Sequence, residues 1–151
     1  DSVPKFLLPS IIFVLASIIS FSTGTSYGTM GILMPLAIPL ANAVGINAGL
    51  ADLALSNYTI IAVSAVLTGA IFGDHCSPIS DTTILSSMGA SCDHIAHTRT
   101  QIVYAIVVGI IAIVFGYLPV SMGLNVWLSL ALGTVAIIAL LRFYGKSVKN
   151  L

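Results

Sequence analysis

Long apolar stretches dominate this chain, and short clusters of small polar residues interrupt them. Residues 6–22 (FLLPSIIFVLASIISFS) and 30–44 (MGILMPLAIPLANAV) are two apolar arms around the polar centre 23–29 (TGTSYGT). Two helical arms at 1.5 Å per residue total about 48 Å, well beyond the roughly 30 Å hydrocarbon core, so one straight crossing fits poorly. The pattern predicts a re-entrant helical hairpin over residues 1–44, with residues 22–29 at its tip near the bilayer midplane. Irregular backbone at that depth needs protein or water to satisfy it. Residues 45–57 (GINAGLADLALSN) are less apolar and carry Asp52, and read as an interfacial connector.

Residues 58–92 predict an interrupted transmembrane helix. The uncharged run YTIIAVSAVLTGAIF leads into GDHCSPISDTT, residues 73–83, where two aspartates, a histidine and several hydroxyls stand inside an apolar span. Pro78 lacks a backbone N–H and disfavours helix at Ser77, which gives the break a local cause, and Asp81 is placed to cap the helix after it. A loop over 93–98 follows, then regular spans at 99–118 and 124–142 and a tail at 143–151. Tyr117, Trp127, Phe143 and Tyr144 near the span ends resemble an aromatic belt.

Arg99, Arg142, Lys146 and Lys149 place the 93–98 loop and the C-terminal tail in the cytoplasm by the positive-inside rule, and the uncharged link at Pro119 outside. The hairpin then opens to the outside, with Lys5 there against the rule. Paired interrupted segments are the sequence mark of a secondary transporter, because half-helix ends and unwound carbonyls meet at its site.

Composition removes the soluble reading: the chain is 58% hydrophobic and 7% charged, contains no glutamate, and has a mean hydropathy of +1.10. The chain reads as an all-α polytopic membrane protein, and its expected localisation is the cell membrane. The formal net charge of zero offers no basic patch for nucleic acid. Cys76 and Cys92 form no secretory disulfide framework and read as small buried thiols. The start at Asp1 has neither the charged n-region nor the cleavage site of a signal peptide, and the chain is expected to be the C-terminal part of a longer protein.

A charge at the bilayer centre costs roughly 2.5–3.5 kcal/mol on insertion scales, so Asp74 and Asp81 must pair, ligate or face a cavity. If the hairpin tip faces the break, helix N-termini near Met30 and Thr82 suit an anionic group, while carbonyls, hydroxyls and a carboxylate suit Na+. Low dielectric favours a neutral carboxyl and a nearby cation favours the carboxylate, so H+ and Na+ competing for one group is a sufficient exchange mechanism. Asp81 is the expected ligand and Asp74 its partner or proton carrier. Ser77, Ser80, Thr82, Thr83, Ser22, Thr23, Thr25 and Ser26 are the remaining candidate ligands, with helix capping or close packing the alternative for the tip hydroxyls.

Histidine ordinarily titrates near neutrality, which makes His75 a second proton-relay candidate beside Asp74. His75, Cys76, Cys92, Asp93, His94 and His97 are zinc-ligating types, yet their spacing matches no standard zinc pattern, and His94 and His97 are expected in a solvated loop. No metal beyond Na+ and no cofactor is expected. A membrane metalloenzyme and a non-transporting scaffold are the alternatives from other classes.

GAIFGDHCSPISDTTILSSMGASCDHIAH (residues 69–97) and FSTGTSYGTMGILMPLAIPLA (residues 21–41) resemble the C-terminal half of the NhaC family of Na+/H+ antiporters. The family is similar to a broader ion transporter superfamily built from inverted repeats of a re-entrant hairpin and an unwound helix. That resemblance implies an Na+ and substrate site at residues 22–29 and 77–83. It implies antiport of Na+ and H+ rather than enzymatic activity, with exchange of organic acids such as malate and lactate, or of amino acids, as the alternative cargo. The implied partners are the lipid bilayer, Na+ and H+, an N-terminal half supplying the other repeat, and further copies in a homo-oligomer.

Overall fold

The computed structural model describes residues 4–145, and among them every regular element is helical. The tail basics Lys146 and Lys149 lie outside the described residues.

Helix α1, Leu8–Thr23, carries Pro9 in its first turn, where a missing N–H costs nothing, and stops at Gly24 in the left-handed conformation (φ 67°). The Gly24 N–H closes on the Ser20 carbonyl at 2.8 Å. Thr25 is extended, and its Oγ1 accepts from the Gly28 N–H at 3.3 Å, starting α2, Ser26–Asn47. The polar centre expected over 23–29 is thus almost wholly helical, with Gly24 and Thr25 alone between the helices. A left-handed stop directly followed by a cap makes the turn in two residues.

After a short turn, α3 spans Asp52–Cys76. The connector expected over 45–57 therefore contracts to residues 48–51, because the Leu and Ala of DLALSN extend the helix toward its N-terminus. Ser77 is extended (ψ 131°) before Pro78, and α4, Asp81–Gly89, follows Ser80. The break falls where proline chemistry puts it. Its two helices are unequal, at 25 and 9 residues, and Asp81 is the first residue of α4 rather than its cap.

Helix α5, His94–Ile111, begins where a loop was expected over 93–98, because the Asp93 carboxylate accepts from the Ala96 N–H at 2.7 Å and caps it. It continues through a π-helical turn, Ala112–Tyr117, into α6, Leu118–Ser121, and the chain returns as α7, Val126–Tyr144. Pro119 cannot donate to the Phe115 carbonyl four residues back. Ser129 Oγ of α7 donates to that carbonyl instead.

Helix α1 runs parallel to α3 in a nearly constant register: Lys5 meets Tyr58, Phe13 meets Gly69, Ser17 meets Gly73 and Phe21 meets Ser77. A methyl on Gly69 would lie 2.5 Å from the Phe13 carbonyl oxygen, and one on Gly73 would collide with the Ser17 carbonyl. The two backbones touch. Helix α2 runs back along α3, with Thr59 Oγ1 donating to Asn42 Oδ1 at 2.8 Å. Helix α5 and the π-helical turn after it are also antiparallel to α3, pairing Gly109 with Phe72 and Tyr117 with Thr68. Phe13 stacks between Phe72 and Tyr117, with ring centroids 5.6 and 5.4 Å away.

Candidate functional site

The parallel register carries the end of α1 to the end of α3, so the hairpin tip and the helix break lie side by side. Ser77 is fully buried, and its hydroxyl donates to the Phe21 carbonyl at 2.8 Å. A methyl on Gly24 would be 2.9 Å from the Ile79 carbonyl oxygen and 3.0 Å from its Cγ1. Ser20 Oγ also reaches across, to the Ala70 carbonyl at 2.5 Å. Only a residue without Cβ fits at Gly24, where both the positive φ and the contact with Ile79 demand it.

Within the break the hydroxyls form a local network. Ser80, also fully buried, donates to Asp74 Oδ1 at 2.6 Å and lies 2.7 Å from Thr82 Oγ1. The last turn of α3 is thereby joined to the first turn of α4. The Ser77 hydroxyl also accepts from the Ile79 N–H at 3.3 Å, and Thr83 Oγ1 donates to the His75 carbonyl at 3.4 Å. Asp74 is half-buried, whereas Asp81, Thr82 and His75 are exposed on the surface of the chain.

Asp74, Ser77, Ser80, Thr82 and Thr83 therefore gather in one place. The tip hydroxyls divide by task. Ser22 and Thr23 donate back to the Ile18 and Ile19 carbonyls at 2.8 and 2.9 Å, and Thr25 caps α2. Thr23 Oγ1 is 3.5 Å from Thr29 Oγ1, which donates to the Thr25 carbonyl, while Ser26 is half-buried in the first turn of α2. Of the two thiols, Cys76 is buried and Cys92 is exposed, so the reading of two buried thiols holds for Cys76 alone.

His94 and His97 belong to this neighbourhood, not to a solvated loop. Both are half-buried. His94 Nε2 lies 2.6 Å from the Pro78 carbonyl oxygen, and the Nδ1 atoms of His94 and His97 lie 3.2 and 2.8 Å from the buried Ser87 Oγ. Asp93 and the loop-like small residues before it hid these histidines from a reading by charge and polarity. The GxxxG spacing of Gly69 and Gly73 was a visible sign of close helix approach, although not of the partner helix. Among the described residues, no three His, Cys, Asp or Glu side chains gather to hold a metal ion.

A sequence model described as the Na+/H+ antiporter family matches residues 1–120. An uncharacterised protein of Haemophilus influenzae is 47% identical over 120 residues, covering 80% of this chain and 21% of the relative. The malate-2H(+)/Na(+)-lactate antiporter of Bacillus subtilis is 35% identical over 106 residues, covering 68% of this chain and 20% of the relative. The Na(+)/H(+) antiporter NhaC of Alkalihalophilus pseudofirmus is 32% identical over 111 residues, covering 72% and 21%. The chain thus spans about a fifth of the length of the curated relatives it matches. No solved structure matches it significantly.

Proposed function

The chain belongs to the Na+/H+ antiporter family, and from that premise we propose that it supplies one repeat of a secondary antiporter exchanging Na+ for H+ by alternating access. The observation that carries this reading is the junction of two chain interruptions, Gly24–Thr25 against Ser77–Ser80, through the Ser77 to Phe21 hydrogen bond. Unwound backbone and half-helix ends brought together inside an apolar bundle are what a transporter site is made of.

In this reading α1 and α2 form the re-entrant hairpin. Both its outer ends lie with Lys5, Asn57 and Met122, which line one cavity, and its tip meets the break. Among the described residues, four helical stretches are long and apolar enough to cross a membrane: α2, α3, the rod His94–Ser121 and α7. The rod and α7 serve as the two regular crossings. Arg99 and Arg142 then mark the cytoplasmic side and Lys5 the outer one.

Asp81, exposed at the start of α4, acts as the Na+ ligand, completed by groups of the absent repeat. Asp74 is the proton carrier, and its hydrogen bond from Ser80 holds it toward Thr82. Na+ at Asp81 favours the ionised form of neighbouring Asp74, and a proton on Asp74 weakens the hold on Na+, which couples the two fluxes. Ser77 and Thr83 position the break. Ser22, Thr23, Thr25 and Ser26 set the tip, with His75 an accessory relay.

The test is Na+-driven proton flux in vesicles carrying the full-length parent, wild type against Asp81→Asn. Flux lost in the variant at normal membrane abundance supports the site, and full exchange by the variant refutes it. The name of the Bacillus subtilis relative favours one second reading, an organic-acid exchanger coupled to Na+ and H+. Exchange of malate or lactate with no Na+-driven proton flux would select it.

A further inference from the structure

Pro78 is the centre of the break, and its carbonyl points away from the hairpin tip toward α5. There the His94 ring meets it, Nε2 to oxygen at 2.6 Å. A carbonyl only accepts, so Nε2 carries the proton. The Thr83 carbonyl accepts from Ser87 Oγ at 2.8 Å, and His94 Nδ1 lies 3.2 Å from that Ser87 oxygen. His97 Nδ1, 2.8 Å from the same oxygen, fits as a donor. Ser87 is 1% exposed and Asp93 fixes the first turn of α5, so the imidazole is held from both sides.

The other face of the same peptide unit continues the line. Beyond the Pro78 carbonyl, the Ile79 N–H donates to Ser77 Oγ at 3.3 Å, and the Ser77 hydroxyl donates to the Phe21 carbonyl at 2.8 Å. Every bond in this series donates in one direction, from the His94 ring, through one peptide of the break, to the hairpin tip. Bonds aligned in this sense polarise one another, and each loss weakens its neighbours. We propose that His94 is a positioning residue of the antiport site: it holds the Pro78–Ile79 peptide in the orientation that lets Ser77 grip the tip. The proposal deepens the antiporter reading and rests on it for the transported ion, whereas the geometry is tested apart from any ion.

Glutamine places an amide N–H near the position of Nε2, and asparagine places one near Nδ1. His94→Gln keeps the donor to Pro78, and His94→Asn removes it while retaining a polar group beside Ser87. In the full-length transporter, His94→Asn raises the Na+ concentration for half-maximal proton flux by about tenfold at unchanged membrane abundance, and His94→Gln stays within about twofold of wild type. Cys76, buried beside Ser77 at the end of α3, reports the same loosening without any ion. The rate at which N-ethylmaleimide modifies its peptide, read by mass spectrometry, rises about tenfold in His94→Asn and not in His94→Gln. Equal behaviour of the two variants in the labelling assay, or a Cys76 as protected in His94→Asn as in wild type, overturns the proposal. If wild type shows no Na+-driven flux, the antiporter reading falls and labelling alone decides His94. If His94→Asn does not accumulate, nitrogen-15 spectra of histidine-labelled wild type decide: a protonated His94 Nε2 supports the assignment, and a bare Nε2 overturns it.

Discussion

Helices α1 and α3 meet backbone to backbone, whereas α7 meets the π-helical turn after α5 loosely, at Ser129 and Gly133 against Phe115. The first contact brings Ala16 and Ser20 against Gly69, Ala70 and Gly73, all buried, and carbonyl oxygens of α1 lie where a Cβ of Gly69 or Gly73 would go. In α7 only Ser129 is buried, while Trp127 and Phe143 are 78% and 82% exposed. Small residues permit close approach, which in lipid is driven by packing and hydrogen bonds and not by escape from water. The α1–α3 pair is therefore the close-packed frame that holds the tip against the break, and α7 presents an apolar surface.

The sharpest way to break that contrast is at a glycine. Gly73→Ala puts a methyl onto the Ser17 carbonyl, and backbone has little room to yield. Overpacking of this kind costs about 1–3 kcal/mol or more, so the full-length transporter should lose thermal stability and membrane abundance. Gly133→Ala in α7 has its nearest neighbour, Phe115 Cβ, 3.9 Å away. Its melting temperature should match wild type, and a matching loss there would erase the distinction between the two pairs.

A smaller effect is expected at the tip. Ser77→Ala removes the hydroxyl that both accepts from Ile79 and donates to Phe21, leaving two part-buried backbone groups unpaired at a cost of about 1–3 kcal/mol. Na+-driven flux should fall several-fold, and less in Ser22→Ala, whose exposed hydroxyl bonds back within its own helix. The opposite order would show that the tip, not the break, carries the site.

The smallest effect is expected at Ser129, which ties α7 to the π-helical turn. Ser129→Ala removes the hydroxyl that donates to the Phe115 carbonyl, a bond that Pro119, without an N–H, does not supply, and should cost about 1 kcal/mol in unfolding measurements. Adding Pro119→Ala restores an N–H at the right spacing, so the double variant should recover most of that loss. If it does not, Ser129 acts through something other than the carbonyl freed by proline.

The helical membrane class, the break at Pro78 and the interruption near Gly24 were legible in the sequence because each has a local cause: hydrophobic runs longer than a soluble helix needs, a residue without an N–H, and a glycine free to take a left-handed turn. Boundaries were less legible where a single cap moved them. Asp93 converts the expected loop into the first turn of α5, and the helix formers after Asp52 shorten the connector. Asp74, Ser77, Ser80, Thr82 and Thr83 stood out together because polar groups inside an apolar span must find partners there or face a cavity. What touches them was decided by the tertiary structure alone. Phe21 and Ser77 are 56 residues apart, and Pro78 and His94 are 16 apart across an intervening helix. Their meeting depends on the register in which α1 lies along α3 and on where α5 starts, and a register is set by all the contacts of two helices at once, which no local pattern encodes.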